Sequence, residues 1–462
     1  MRVARSGRTL HSSAGGSVGA SAAGRYEPHP TVLSRVRVRW WIFVYMFLFI
    51  LLNFVQRNSL NAATEQIQSE LRVSQLQVFM LMWAYQVVYS LLQVPAGSFG
   101  QRFGARWTFV LVGALACVAT GATPLAPVVL SGTAMIGAMV LAQAIVGAAQ
   151  APVFPVSTGV FEHWFPSSRW GFVNGLSSSA MHVGTAITAP LIVALTSALG
   201  WQQALLWTAL PMAMVTLGWA HYGRDRPQQH PSVSAQELEE LGEGAHESTP
   251  PTTLARLLQL IRDRNIALLA VSYLCMNYVF FLLMTAPFLY LTQQRHLSHV
   301  DSGWLAMLPP AGAAVGAWLG GDLADRFCAR FGLRWGLRLI PLISLPSAGA
   351  LLLLGVHAGA VAIAVACFVL AYGLIEVNEG PYGAALMQIA RADSMPGFGI
   401  INTGGNLGGV VCYPILGYLS GRGDWSAVFA IGSAFCLVAA ALWLLVYADQ
   451  RFAPPPGAYA EA

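Results

Sequence analysis

The sequence repeats one short basic turn, first as Gln101-Arg102-Phe103-Gly104-Ala105-Arg106 and, 224 positions later, as Asp325-Arg326-Phe327-Cys328-Ala329-Arg330. The same offset carries Pro190 onto Pro414. A repeat on this scale indicates that the chain contains two structurally related halves. The composition of the sequence around the two turns then indicates what kind of structure each half forms.

The composition is that of a membrane protein. The 462 residues are 56% hydrophobic and 10% charged, whereas soluble domains contain about 25% charged residues. A spanning helix needs about 20 mostly apolar residues, and we find twelve such stretches. They are 40–60, 78–98, 106–126, 131–157, 170–196, 203–222, 266–292, 303–322, 336–356, 359–387, 397–419 and 425–448.

The sequence therefore predicts an all-α membrane protein with twelve transmembrane helices in two six-helix halves. We expect the halves at 40–222 and 266–448. A linker at 223–265 is expected to contain short amphipathic pieces such as Thr253–Arg264. Residues 1–39 are predicted to be a disordered cytoplasmic tail, although their Arg-rich and Ser-rich composition is also found in transit peptides. Residues 449–462 are predicted to be a second cytoplasmic tail.

The arginines predict the orientation. All 25 basic residues are arginines, and with both termini inside only Arg72, Arg295 and Arg422 fall outside, while Arg57 falls within a span. Positive loops face the cytoplasm, so both termini are predicted to be cytoplasmic, in a bacterial inner membrane. The net charge of +5 therefore reflects membrane orientation, and we expect no nucleic-acid partner. A monomer in the lipid bilayer is expected.

Two six-helix halves, each with a basic turn after its second helix, resemble the major facilitator superfamily. This resemblance implies one substrate cavity at the midplane between the halves. It also implies that the turns form a gating motif, in which a carboxylate pairs with arginine or caps a neighbouring helix. The motif residues are Gly97, Gln101, Arg102 and Arg106 in the first copy and Gly321, Asp325 and Arg326 in the second. Because Gln101 replaces the usual acid, we expect a weaker latch there.

Several further motifs together resemble the anion:cation symporter family, which includes sugar-acid, phthalate and sialin-type transporters. They are Gln56-Arg57-Asn58-Ser59-Leu60, Tyr89 with Gln93-Val94-Pro95, 147–155 (GAAQAPVFP), Trp164-Phe165-Pro166, His230-Pro231 and 402–406 (NTGGN). Three positions where this chain differs from the family's motifs matter as much. The family typically has Asp, Arg and Glu where this chain has Gln56, Gln143 and Gln150. Glutamine cannot titrate, so the family's usual proton relay does not transfer to this chain.

Four ionisable groups other than Tyr and Cys lie more than two residues inside the ends of the predicted spans: Arg57, His182, Glu376 and Glu379. A guanidinium at membrane depth costs about 2.5–3.5 kcal/mol on insertion scales, so Arg57 is a candidate carboxylate anchor. Its alternatives are a structural ion pair or a side chain that extends to the outer interface. We expect Arg57 to pair with the tenth helix when the site is empty.

Glu376 and Glu379 lie three residues apart and share a helix face. Two neighbouring carboxylates in a low dielectric cannot both ionise at low cost, so one of them is a candidate proton carrier. The alternatives are a substrate contact or a structural pair near a helix break at Gly380-Pro381. A histidine side chain has an unperturbed pKa near 6.5, so His182 is a candidate proton relay or carboxylate ligand, and the alternative is a hydrogen-bonded core histidine.

The predicted substrate-binding residues are Arg57, Tyr89, Glu379, Tyr382, Asn402 and Asn406. Asn277 and Tyr278 are further hydroxyl-binding candidates, although polar side chains also join helices without binding ligands.

These features predict a secondary transporter of a small organic anion that works by alternating access, with proton coupling through Glu376, Glu379 or His182. An uncoupled or potential-driven carrier and a non-transporting membrane sensor are the alternatives. A drug:proton exporter fits less well, because the fifth helix lacks the glycine-proline signature expected there. No nucleophile constellation, metal cluster or nucleotide loop is seen, so no enzyme activity, cofactor or metal is expected.

Overall fold

A computed structural model describes residues 37–241 and 253–452. The predicted tails and the middle of the linker, at 1–36, 242–252 and 453–462, lie outside the described residues. The helices are α1 (Val38–Ala62), α2 (Thr64–Leu71), α3 (Gln75–Phe103), α4 (Ala105–Val129), α5 (Gly132–Gln150), α6 (Val153–Trp164), α7 (Trp170–Leu199), α8 (Trp201–Tyr222), α9 (Ala235–Leu241), α10 (Leu254–Arg262), α11 (Arg264–Gln293), α12 (His299–Ala306), α13 (Leu308–His357), α14 (Val361–Glu376), α15 (Glu379–Ala390), α16 (Ser394–Ser420) and α17 (Trp425–Trp443).

These helices make the twelve predicted spans. Nine stretches of the described chain are long and apolar enough to cross a membrane. Two of them, Asp301–His357 and Val361–Ser420, each contain two successive spans, and the first is divided at Gly332, where φ is +77°. Helix α3 adds the remaining span, with several glutamines that lower its hydropathy.

The eighth span has a one-residue turn at Met307, between α12 and α13. Two further spans are interrupted at positions that the sequence explains. The fourth span breaks at 151–152, between α5 and α6, and the tenth breaks at 377–378, between α14 and α15. Proline has no N–H and its ring crowds the carbonyl four residues earlier. Pro155 therefore disrupts the helix at Ala151, and Pro381 disrupts it at Val377. The tenth-span break thus precedes Glu379, whereas we expected it at Gly380-Pro381.

The two halves meet closely on the side of the bundle that carries the start of α1 and the end of α17. A Cβ on Gly97 would lie 2.4 Å from the Met395 carbonyl oxygen, and one on Gly175 would lie 2.4 Å from the Ala317 oxygen. Hydrogen bonds between the halves run from the level of His182 and Asn406 toward this side. The bundle is therefore closed on the side of the termini.

The linker reinforces that closure by contacting both halves. Arg37 and Arg39 at the start of α1 pair with Glu240 of α9. Arg256 of α10 pairs with Asp393, between α15 and α16. Helix α10 starts at Leu254, and the side chain of Thr253 before it accepts the Arg256 N–H. The helix covers most of the amphipathic piece predicted at Thr253–Arg264.

Candidate substrate cavity

A central cavity lies between the halves and contains about 820 Å3 of empty space, open solvent at its mouth included. Seven of the predicted site residues line it: Arg57, Tyr89, His182, Asn277, Glu379, Asn402 and Asn406. They come from six spans, α1, α3, α7, α11, α14–α15 and α16. The structure thus brings together side chains that are far apart in the sequence.

Arg57 is half-buried in the wall of this cavity. Its Nη2 donates to Gln86 Oε1 at 2.7 Å. The guanidinium carbon lies 5.1–5.4 Å from the ring centroids of Phe54, Tyr85 and Tyr89, a distance at which a cation interacts favourably with an aromatic face. Aromatic rings and one neutral amide therefore hold the charge.

The expected pairing of Arg57 with the tenth helix is wrong for this state. Among the described residues, no carboxylate lies within 4 Å of the Arg57 nitrogens. The reason is that Glu376 and Glu379 bond to other side chains, while Arg57 donates to Gln86. Gln86 in turn donates to Asn406 Oδ1 at 3.0 Å, which links the Arg57 site to the C-terminal half.

Tyr89 and Asn402 lie next to Arg57 on the same wall. The Tyr89 ring stacks on Tyr85 with 5.7 Å between centroids. Asn402 donates from Nδ2 to Gln93 Oε1 at 2.9 Å, and this bond also joins the two halves. A hydrogen-bonding surface of amides and phenols therefore surrounds the guanidinium.

Glu379 lies on a different wall, at the first position of α15. The Tyr273 hydroxyl lies 3.0 and 3.2 Å from its two carboxylate oxygens, and Ser178 Oγ donates to Oε2 at 3.1 Å. A carboxylate at a helix N-terminus is also favoured by the helix dipole. These contacts orient Glu379 toward the cavity.

Glu376 points elsewhere, because the break at 377–378 separates it from Glu379. Its Oε2 lies 2.7 Å from His182 Nε2, and its side chain is fully buried. In the described structure Oε1 has no hydrogen-bond partner. The His182–Glu376 pair therefore connects α7 of the first half with α14 of the second half in a water-poor setting.

Two predicted ligand-binding tyrosines lie outside the cavity lining. Tyr382 is 1% exposed, its hydroxyl bonds to Ser272, and its ring packs edge-on to Tyr273 at 5.0 Å. Tyr278 is also buried and stacks on Phe435 at 4.1 Å. Both lie on helix faces turned into the C-terminal half, so Tyr382 supports the cavity through Tyr273.

The three glutamines that replace family acids and arginine take neutral roles. Gln150 Oε1 accepts the Tyr85 hydroxyl at 2.7 Å, and Gln143 Nε2 donates to Thr123 Oγ1 at 3.0 Å. Gln56 is buried, and its amide atoms have no partner within the described residues. The first half therefore orients Arg57 through amides and aromatic rings.

The first copy of the gating motif bridges the halves through an amide. Gln101 Nε2 donates to the Ala392 carbonyl at 2.8 Å. Arg106 binds within its own half, with Nη2 donating to the Ala220 carbonyl at 2.6 Å. Arg102 lies over the Phe103 ring. An amide can donate to a carbonyl and a carboxylate cannot, so Gln101 makes a contact that the usual acid would not make.

The second copy works through its acid. Asp325 accepts the Gly171 N–H at 3.0 Å and the Phe172 N–H at 2.9 Å, in the first turn of α7. Gly321 permits this approach, because a Cβ there would lie 2.5 Å from the Gly171 oxygen. Arg326 pairs on the surface with Asp322. Asp325 therefore caps a helix of the opposite half, as the resemblance implied.

Sequence reasoning missed Ser178 and Tyr273 as cavity residues and Gln86 as the partner of Arg57, although the sequence carries a signal for each. Gln86 lies seven residues before Gln93, on one face of α3. Ser178 and Tyr273 lie four residues before His182 and Asn277. Neighbours at a spacing of four share a helix face, so each predicted polar residue pointed to a second one.

The fold and the sequence have known relatives. Solved structures with the same fold include FucP in an outward conformation (TM-score 0.71, 14% identity, covering 89% of this chain and all of that chain). Another is the proton:xylose symporter XylE bound to 6-bromo-6-deoxy-D-glucose (TM-score 0.72, 12% identity, 89% and 96%).

Similar curated proteins are named as transporters of organic acids. They include a probable sulfoacetate transporter of Cupriavidus necator (26% identity, 89% of this chain and 94% of that protein) and a probable galactarate/D-glucarate transporter of Escherichia coli K12 (23%, 91% and 96%). A D-galactonate transporter of Escherichia coli O6:H1 is 25% identical (90% and 97%). The family model described as Major Facilitator Superfamily matches residues 46–395. This chain is a multi-pass membrane protein that belongs to the Major Facilitator Superfamily.

Proposed function

We propose that this protein is a secondary transporter that carries a small organic anion across the membrane by alternating access to the central cavity. The observation that carries this proposal is Arg57, a guanidinium in the cavity wall with no carboxylate partner among the described residues. A guanidinium offers five donors in a fork that matches a carboxylate, and Gln86 occupies only part of that capacity.

The named relatives support an acid as substrate, since sulfoacetate, galactarate, glucarate and galactonate are all organic anions. We place both termini in the cytoplasm from the arginine distribution. The closed side of the bundle is then the cytoplasmic side, and the cavity faces outward. Asn402, Asn406 and Tyr89 complete the substrate site around Arg57.

We further propose that the His182–Glu376 pair binds the coupled proton. The pair is buried and joins the two halves, so it must separate or rearrange when the halves rock. Its protonation is then linked thermodynamically to the conformational change. Glu379 contacts the cavity directly and is assigned to the substrate.

Transport into proteoliposomes tests both parts. A thermal-shift screen of the purified protein against sugar acids, aromatic acids and dicarboxylates first identifies a ligand. Arg57→Ala should then abolish uptake and exchange of that ligand. Glu376→Gln should abolish uphill uptake driven by an imposed pH gradient and retain exchange. Normal transport by Arg57→Ala would disprove the anchor, and uphill uptake by Glu376→Gln would disprove the proton site.

An uncoupled or potential-driven carrier is the second candidate. Gln56, Gln143 and Gln150 replace titratable and charged family residues, and Gln150 and Gln143 make neutral hydrogen bonds. The two candidates differ in proton movement. Substrate uptake that alkalinises a weakly buffered medium supports coupling, whereas uptake that follows only the membrane potential supports the uncoupled carrier.

A further inference from the structure

Two side chains that can carry opposite charges face the same cavity without forming an ion pair. Arg57 and Glu379 both line it, yet they make no ion pair in the described structure, where pairs extend to 4.0 Å between N and O. Each is held by its own neighbours, Arg57 by Gln86 and Glu379 by Tyr273 and Ser178. The space between them is available to a ligand that contacts both.

We propose that the substrate is a monocarboxylate with a hydrogen-bond donor, a hydroxyl or an ammonium group, at its other end, and that dicarboxylates are disfavoured. This inference rests on the proposed function and specifies its substrate class. The carboxylate binds Arg57, and the donor group at the far end binds Glu379.

The Arg57 end of the cavity selects one anionic group. Nη2 uses one of its N–H groups for Gln86, which leaves donors for the two oxygens of a carboxylate. The rings of Tyr89 and Phe54 cover the guanidinium and keep water away from the contact. An ion pair in such a partly desolvated setting is stronger than in water.

The Glu379 end selects a donor. A carboxylate has about four acceptor positions, and Tyr273 and Ser178 use part of them. A hydroxyl or ammonium group can donate to the remainder. A second carboxylate there would meet a like charge. The described lining has no further cation available to neutralise a second carboxylate, because the Nε2 atom of His182, the other basic residue of the cavity, contacts Glu376.

This inference predicts a substrate preference different from that of relatives named for dicarboxylate substrates. Galactarate and glucarate carry a carboxylate at each end, whereas galactonate carries one carboxylate and a terminal hydroxyl. The proposal predicts that the chain follows the galactonate pattern, although it is similar to all of these transporters.

Two matched ligand series test it on purified protein by thermal-shift titration, which converts stabilisation into an apparent Kd. The first series is galactonate, 6-amino-6-deoxygalactonate and galactarate. The second is 5-hydroxypentanoate, 5-aminopentanoate and glutarate. In the series that binds, we expect the dicarboxylate to bind at least about tenfold more weakly than the hydroxyl or ammonium ligand, because a buried polar group left unpaired is costly. The two monocarboxylates show which donor is preferred.

Glu379→Gln removes the charge at nearly constant size. It should improve dicarboxylate binding relative to the ammonium ligand by about tenfold or more. Glu239→Gln makes the same chemical change on an exposed carboxylate of α9 that lies outside the cavity lining, so it should leave this ratio unchanged. If Glu379→Gln does not fold, the two ligand series on the wild-type protein still test the predicted preference for monocarboxylates.

The possible failures are distinguishable. If ligands bind through Arg57 and the dicarboxylate binds as tightly as its matched monocarboxylate, only this inference is overturned. An unaltered ratio in folded Glu379→Gln overturns it as well. If no carboxylate in either series or in the wider screen stabilises the wild type in an Arg57-dependent way, the proposed function is itself overturned.

Discussion

The Asp325→Asn substitution should loosen the closed side of the bundle. Asp325 accepts the backbone N–H groups of Gly171 and Phe172 across the interface between the halves. Both N–H groups lie in the first turn of α7, where a helix provides no internal acceptor. Asp325 is therefore the group that protects these two amides from water.

The expected magnitude follows from these two contacts. Hydrogen bonds to a charged group contribute about 1.5–3 kcal/mol each, and a carboxylate at a helix N-terminus gains a further ~0.3–1 kcal/mol. Asparagine retains one acceptor oxygen and presents an NH2 group to the other N–H. We expect the closed state to lose about 2 kcal/mol, which is roughly a thirtyfold change in the opening equilibrium.

Hydrogen–deuterium exchange of a peptide covering residues 167–176 measures this opening directly. When reclosing is faster than exchange, the exchange rate of the two amides reports the opening equilibrium. At pH 8 we expect about thirtyfold faster exchange in Asp325→Asn.

Asp322→Asn is the matched control, because Asp322 makes an exposed i,i+4 pair with Arg326. Such surface pairs contribute about 0–1 kcal/mol, so this variant should exchange nearly like the wild type. Unchanged protection in Asp325→Asn, or equal acceleration in both variants, would refute the capping role.

Three further predictions concern other regions. Arg57→Lys keeps the charge and loses the fork, so the carboxylate ligand should bind about tenfold more weakly by thermal-shift titration, whereas exposed Arg72→Lys should have no effect. Gly321→Ala should destabilise the closed state by about 1–3 kcal/mol through overpacking, seen as faster exchange at 167–176, while Gly417→Ala, with open space around its Cβ, should not. Burial lowers the pKa of His230 below 6.5. The contact between the linker segment 227–241 and the helix bundle is then fully stable above pH ~6.5. As the pH falls through the lowered pKa of His230, the amides of 227–241 should exchange faster with deuterium. His230→Gln should remove that dependence.

The spans were predictable because lipid imposes a length and a polarity on each of them. The stretch 203–222 became Trp201–Tyr222, and 40–60 became Val38–Ala62. The break in the fourth span was missed, since apolarity continues through Ala151. Prolines account for both breaks in the structure, because Pro155 and Pro381 each act on the carbonyl four residues earlier. Their presence alone did not predict a break, since Pro95 and Pro190 lie inside continuous helices.

The pairings of the site were less predictable, because they depend on contacts between distant helices. The sequence identified Arg57, His182, Glu376 and Glu379, but it suggested that Arg57 would contact the tenth helix. A break of two residues after Glu376 turns the two acids toward different partners. One of them now contacts His182 and the other contacts Tyr273, and sequence spacing alone does not show this change.

The location of titratable groups has a consequence for coupling. By the resemblance to the anion:cation symporters, the usual acids would lie on the first and fourth helices of one half, so rocking of the halves would change their exposure without separating them from each other. Here the corresponding positions are Gln56 and Gln150, and Gln150 bonds to Tyr85 of its own half. The His182–Glu376 pair instead spans the interface between the halves. In the proposed mechanism, a proton on such a pair alters a contact that the transport step must break, so protonation and conformation are linked through one interaction and need no separate relay.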